Sequence, residues 1–198
     1  MKKFSLIVLL ALGFLFLTQT GFSQHPIFVS AGAQETWITG VSSLSGSTHG
    51  QIGVGMGIAD LSDQISFRGE LVFSMQGAHY SDGHINSLYF NLPLVLRYHV
   101  ESGLFGELGL QPGYLYGAKD HYSGGSNGIT NQMESFDFGI PIGVGKEFKN
   151  NFGVGLRYIL GITNVFKGGS GDEDDSGNKG RNAVLALRVT YTFNKNKK

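Results

Sequence analysis

Charged side chains recur at alternating positions in segments that are otherwise apolar or small, as in a β-strand with two distinct faces. Seven residues share this pattern: Arg68, Glu70, Arg97, Glu107, Asp137, Arg157 and Arg188. Charges held away from bulk water persist when they are paired and hydrogen-bonded. We therefore expect a paired network on one face of the strands that stabilises the fold. A path for protons or ions is the alternative role for this network.

A second group of residues that could take part in catalysis is His79, Ser81 and Asp82, which lie within one short polar segment. A histidine acts as a base only when a nucleophile or water and an orienting acid meet it in space. Because three such neighbours often occur by chance in polar segments, we expect no catalytic residues. Catalysis at this segment remains an alternative.

Histidines and acidic residues suggest two possible metal sites, although solvated surface residues are the simpler interpretation of both. Imidazoles that map to or near long connectors are potential zinc or copper ligands; they are His49, His79, His84 and His121. Asp172 and Asp174 resemble the first half of a calcium loop, but its twelfth position is Ala183 instead of glutamate. We therefore expect no bound metal and no cofactor.

Composition excludes several classes of protein. The 198 residues include no cysteine, which excludes a disulfide scaffold, a thiolate zinc site and a cysteine nucleophile. The formal net charge is zero, which argues against a nucleic-acid partner. A mean hydropathy of -0.01 is typical of a soluble protein, but 31 glycines are more than a helical protein would carry.

The N-terminus has the pattern of a secretory signal peptide. Lys2 and Lys3 precede a largely apolar run at residues 4–17, and small residues follow up to Ser23. The run is shorter than the roughly 20 residues that a transmembrane helix needs. We therefore predict a signal peptide at residues 1–23 and one domain at residues 24–198.

The remaining chain predicts an all-β fold with eight strands separated by turn residues. They lie near residues 27–34, 51–59, 65–78, 87–98, 104–117, 136–145, 152–163 and 184–193. Short connectors alternate with mostly long polar ones at residues 37–50, 79–86, 119–134 and 166–182. This alternation predicts an eight-stranded antiparallel up-and-down barrel with a short-turn end and a long-loop end.

The two faces of these strands decide between a soluble and a membrane barrel. One face carries no charge, and its aromatic residues gather at two levels, as membrane interfaces favour. Phe67, Tyr98, Phe148, Phe152, Tyr191 and Phe193 map to the short-turn end, and Phe90, Tyr114, Tyr116 and Phe136 map to the long-loop end. The interior of eight strands has little room for so many large side chains. We therefore predict a transmembrane barrel, with a lipocalin-like soluble carrier as the alternative.

Four segments carry a family resemblance: SLYFNLPLVLRYHV, GLFGELGLQPGYLYGAKD, FDFGIPIGVGKEFKNNFGVGLRYILGITNVF and NAVLALRVTYTF. Together they resemble the PorT-like outer-membrane β-barrel domain family of Gram-negative Bacteroidetes. The resemblance implies residence in the outer membrane, insertion by the barrel assembly machinery and a periplasmic N-terminus. The tail at residues 194–198 departs from the many barrels that end on an aromatic residue.

These features favour a structural or interaction role in the outer membrane without catalysis. One alternative is a component of a secretion or surface-attachment machine, contacted through long loops or periplasmic turns. The other is a lipid-modifying barrel enzyme that uses His79, Ser81 and Asp82. The expected partners are outer-membrane lipid, the barrel assembly machinery and a protein partner, but no nucleic acid.

Overall fold

The computed structural model describes residues 25–41, 43–167 and 180–193. The predicted signal peptide and the candidate ligands Asp172 and Asp174 lie outside these ranges. The described part contains ten strands: β1 (Ile27–Thr39), β2 (Ser47–Asp60), β3 (Ile65–Tyr80), β4 (Gly83–Asn91), β5 (Leu94–His99), β6 (Leu104–Tyr122), β7 (Gly125–Gly128), β8 (Phe136–Glu147), β9 (Phe152–Gly161) and β10 (Arg181–Phe193). A short 3-10 helix spans Thr130–Gln132. No helix in the described ranges is long and apolar enough to cross a membrane.

The strands form one closed antiparallel barrel. Strand β1 pairs with β2 and β10, and the ring continues through β9, β8, β6 and the β4–β5 position to β3, which pairs with β2. Strands β4 and β5 share one position because both pair with β3 and β6, and Leu92 and Pro93 separate them. Proline has no N–H to donate, which explains the interruption. The eight-stranded up-and-down barrel is confirmed.

Several strands extend further towards the long-loop end than the sequence pattern predicts. The polar segment at residues 79–86 is a tight hairpin, in which His79 is the cross-strand partner of His84. Only Ser81 and Asp82 separate β3 from β4, and both are residue types that favour turns. Polar pairs extend these strands without the apolar alternation by which strands are recognised.

The apolar face of the barrel points outwards. Leu110 and Val144 are each 62% exposed, whereas Glu70 and Arg97 are 2% and 4% exposed. A soluble carrier would show the opposite arrangement, so the lipocalin-like alternative is wrong. The outward face instead suits contact with lipid.

Aromatic residues of this face lie at both ends of the barrel. At the short-turn end, the ring of Tyr191 contacts those of Phe152 and Phe193, each with centroids 5.0 Å apart. Phe67, Tyr98 and Phe148 lie at the same end, next to the connectors. At the long-loop end, the ring centroids of Tyr114 and Phe136 are 5.5 Å apart, and those of Phe90 and Tyr116 are 5.8 Å apart.

Candidate functional site

The interior of the barrel holds a layer of paired charges, termed the charged layer, at its centre. It comprises Arg68, Glu70, Arg97, Glu107, Glu147, Arg157 and Arg188. Arg157 on β9 joins two carboxylates, since its Nη1 lies 3.3 Å from Glu70 Oε2 and its Nη2 lies 2.6 Å from Glu107 Oε1. Arg188 on β10 also pairs with Glu70. These contacts connect strands on different sides of the barrel.

The charged layer continues towards the short-turn end through Glu147. The Nη2 atom of Arg97 lies 2.7 Å from Glu107 Oε2, and its Nη1 atom lies 2.7 Å from Glu147 Oε1. The Nη2 atom of Arg68 lies 3.1 Å from the same oxygen of Glu147. Glu147 was not among the expected network residues. It shares the alternation of β8 with Asp137, and strand β8 extends two residues past the predicted end at Gly145. Continuing the alternation by those two residues would have found it.

Phenylalanine rings pack against the guanidinium groups of this layer. The Arg97 guanidinium lies 3.7 Å from the ring centre of Phe105, and that of Arg68 lies 5.6 Å from the ring centre of Phe28. A Cβ atom at Gly145 would collide with the Phe105 ring. Glycine therefore leaves the space that these rings fill inside a narrow barrel.

Asp137 lies apart from the charged layer, in contrast to the expectation from the sequence. Its carboxylate accepts hydrogen bonds from Thr163 Oγ1 at 2.5 Å and from Asn182 Nδ2 at 2.9 Å. None of the ion pairs within the described ranges includes Asp137. Hydrogen bonds from neutral side chains, instead of an arginine, satisfy this carboxylate.

A second layer of the interior is apolar and lies towards the long-loop end. This apolar plug comprises Ile38, Ala78, Tyr89, Leu115, Ala118, Met133 and Val165. Met133 and Val165 come from the connectors that follow β7 and β9, and they are 1% and 2% exposed. The two connectors are joined by a hydrogen bond of 2.9 Å from Glu134 N to Val165 O. The plug therefore covers the charged layer on this side.

Three histidines form a row on the outer wall near the long-loop end. This histidine row consists of His79, His84 and His121, which are direct cross-strand partners on β3, β4 and β6. The His84 ring lies 5.5 Å from that of His79 and 4.8 Å from that of His121. The rings of His84 and His121 are stacked with an interplanar angle of 13°, so their in-plane lone pairs do not converge on one ion. No group of three or more potential ligands within the described ranges has the arrangement of a metal site.

The alternative catalytic group, His79, Ser81 and Asp82, lies in the hairpin between β3 and β4. His79 Nδ1 lies 3.3 Å from the carbonyl oxygen of Gly46, and the ring packs on His84. Within the described residues, no hydrogen bond joins His79 to Ser81 or Asp82. In this arrangement, the described contacts of His79 are with Gly46 and His84 instead of Ser81 and Asp82.

The tip of the same hairpin is attached to β6 through a tyrosine. The Tyr80 hydroxyl donates a hydrogen bond of 2.6 Å to Asp120 Oδ1, at the turn beyond the aromatic residues of the long-loop end. This bond to a carboxylate, reinforced by partial desolvation, raises the pKa of Tyr80 to about 12. The contact connects the hairpin to β6 at any ordinary pH.

A family model and the solved structure of one known protein agree with this architecture. The family model described as "Outer membrane protein beta-barrel domain" matches residues 35–167. The structure of Neisserial surface protein A has a TM-score of 0.58 at 12% identity, covering 87% of this chain and 99% of that one. Ail, the attachment invasion locus protein of Yersinia pestis, has a TM-score of 0.49 at 15% identity, with 86% and 99% covered. The outer membrane enzyme PagL has a TM-score of 0.43 at 16% identity, with 84% and 98% covered. Among curated proteins, none matches the chain.

Proposed function

The chain belongs to the outer membrane protein beta-barrel domain family, and we propose that it is a closed-lumen barrel with a structural or interaction role. The observation that carries this proposal is the filling of the interior at two levels. The charged layer blocks the centre, and the apolar plug covers it at the long-loop end. An eight-stranded interior is just wide enough for side chains to fill it. The role of the charged layer is to hold the strands together, without conducting ions.

Planar-bilayer recording of the purified full-length barrel tests this role. We expect no stable conductance steps, because paired charges and apolar side chains fill the interior at two levels. Stable unitary conductance would overturn the proposal. A large outer-membrane porin, reconstituted in the same preparation, shows that the assay detects channels.

For placement in the membrane, we propose that cleavage after Ser23 leaves a mature chain with a periplasmic N-terminus. The barrel assembly machinery inserts this chain, and the apolar outer face then contacts outer-membrane lipid. The aromatic residues at both ends act as interface anchors. Mass spectrometry of the mature N-terminus and heat-modifiable gel mobility of membrane extracts test the processing and the insertion. An uncleaved chain, or a chain in the soluble periplasmic fraction, would contradict them.

We propose that, within its family, this chain is a PorT-like protein and that it contacts a protein partner. The β3–β4 hairpin and the connection from β6 to β7 support this, since they extend the wall beyond the aromatic residues and expose polar side chains. Affinity purification from detergent extracts tests this role, with a variant that lacks residues 123–128 as the matched bait. A defined protein retained by the native chain and lost from this variant is expected. Equal recovery by both would exclude this surface.

We further propose that the protein has no enzymatic activity. The contacts of His79 with Gly46 and His84, and the lack of a bond to Ser81 or Asp82 within the described ranges, support this. Mass spectrometry of lipid A from cells with and without the protein, and with His79→Ala, provides the test. We expect identical lipid A masses. A mass change that depends on His79 would establish the enzyme instead.

A further inference from the structure

The charged layer contains more positive than negative groups. Four arginines face three glutamates, since Asp137 is bound elsewhere by Thr163 and Asn182. Each guanidinium carries five N–H donors and no acceptor. The layer therefore has a surplus of one positive charge. A buried charge without a counter-charge is costly, which favours the uptake of an anion.

The surplus of donors is located at Arg188. Its Nη2 pairs with Glu70, but its buried Nε has no hydrogen-bond partner among the residues that the structure describes. The residue is only 4% exposed, so bulk water does not solvate this N–H. Such a group needs a small ligand beside it, because leaving a buried charged donor unpaired costs free energy.

A small cavity adjoins this arginine. Its volume is about 10 Å³, and its lining includes Arg97, Arg157, Arg188, Glu107, Gly155 and Thr190. A cavity of this size holds about one water-sized particle.

We propose that this cavity is a binding site for a single halide ion, chloride under ordinary conditions. Arg188 supplies the charge and the free N–H, and the Thr190 hydroxyl is the neutral donor of the lining. The carboxylate in the lining, Glu107, is already bound by two guanidinium groups, with Arg97 at 2.7 Å and Arg157 at 2.6 Å. Its charge is therefore compensated, and the halide balances the remaining positive charge of the layer.

Crystals of the full-length barrel grown in bromide test the site directly. We expect an anomalous bromide peak in the cavity beside Arg188 Nε. Density that fits only a water molecule, without an anomalous signal, would overturn the proposal. This result is independent of the conductance assay, so the two proposals fail separately.

Thermal stability in detergent provides a second test. The midpoint of heat-modifiable mobility is measured against chloride, with gluconate keeping the ionic strength constant. We expect the midpoint to rise and saturate with chloride, because a ligand that binds only the folded state stabilises it. Thr190→Val should raise the half-saturating chloride concentration about tenfold, as expected for the loss of one hydrogen bond to a charged ligand.

Thr192→Val is the matched control, because Thr192 is the next interior residue on β10 and does not line the cavity. It should keep the native chloride dependence. The absence of saturation in the native chain would overturn the proposal. Equal weakening by Thr190→Val and Thr192→Val would overturn it too.

Discussion

Arg157 contacts a single oxygen of Glu107 twice: its Nε donates a hydrogen bond of 2.7 Å to Oε1, and its Nη2 forms an ion pair with the same atom at 2.6 Å. The other oxygen of Glu107 accepts from Arg97. Two guanidinium groups from β5 and β9 thus share one carboxylate from β6. Glu107 therefore links the Arg97–Glu147 pair to the Arg157–Glu70 pair at the middle of the charged layer.

Glu107→Gln should lower the free energy of unfolding by about 3 kcal/mol, because it removes a buried carboxylate that two guanidinium groups share and leaves four arginines with two glutamates. Urea titration of the barrel in detergent, followed by tryptophan fluorescence, measures the change. Glu101→Gln, in the exposed turn between β5 and β6, is the matched control and should change stability by less than about 0.5 kcal/mol. A comparable effect of the two variants would mean that the pairing contributes nothing.

Gly145→Ala should destabilise the barrel by about 2 kcal/mol, because its Cβ collides with the Phe105 ring in a filled interior. A second substitution, Phe105→Leu, should restore part of the loss. The same urea titration measures both variants. Gly106→Ala is the control, since the nearest atom to its Cβ is 4.0 Å away. Equal stability of Gly145→Ala and Gly106→Ala would contradict the proposed role of Gly145.

Met133→Ala should lower the free energy of unfolding by about 3 kcal/mol, because Met133 is 1% exposed inside the apolar plug and its truncation leaves a cavity. Met75→Ala provides a control of identical chemistry on the outer face, where the side chain is 38% exposed. It should cost less than about 1 kcal/mol, since lipid or detergent fills the vacated space. A larger effect at Met75 than at Met133 would refute the plug as a stabilising element.

The bond between Tyr80 and Asp120 predicts a change at alkaline pH. The pKa of Tyr80 is raised from 10.0 to about 12, so folding favours the neutral hydroxyl. Its stabilising contribution is complete below pH 10 and is lost as the pH rises towards 12. Ultraviolet titration of tyrosinate should show a late phase that Tyr80→Phe reduces by one tyrosine and that Asp120→Asn moves in part to lower pH. An unchanged late phase in Tyr80→Phe would assign it to another tyrosine.

Alternation alone predicts which residues of the barrel share the interior. It placed Arg97 and Glu107 on one face because side chains in a strand repeat with period two. It contains no information on height along the barrel, which depends on the stagger between strands. For this reason Asp137 was grouped with charges that it does not contact, and the partners of each arginine were not predicted.

The apolar plug was not predictable for a different reason. Met133 and Val165 lie in connectors, where no hydrophobic period exists to show which side chains turn inwards. The histidine row also depends on cross-strand register, since His121 is distant in sequence from His79 and His84. Sequence reasoning placed these histidines at the same end but did not predict that they are neighbours.

Closure of the barrel depends on the pairing of its first and last strands, in which Ile27 is the partner of Phe193. The two ends of the barrel domain thus meet at one rim, although almost the entire domain separates them in sequence. During biosynthesis, a chain that ends before β10 would keep two unpaired strand edges, on β1 and β9, available for aggregation. Completion of the ring is therefore an all-or-none event that must await the last strand. A nonsense mutation only a few residues before β10 should be as damaging as a null allele.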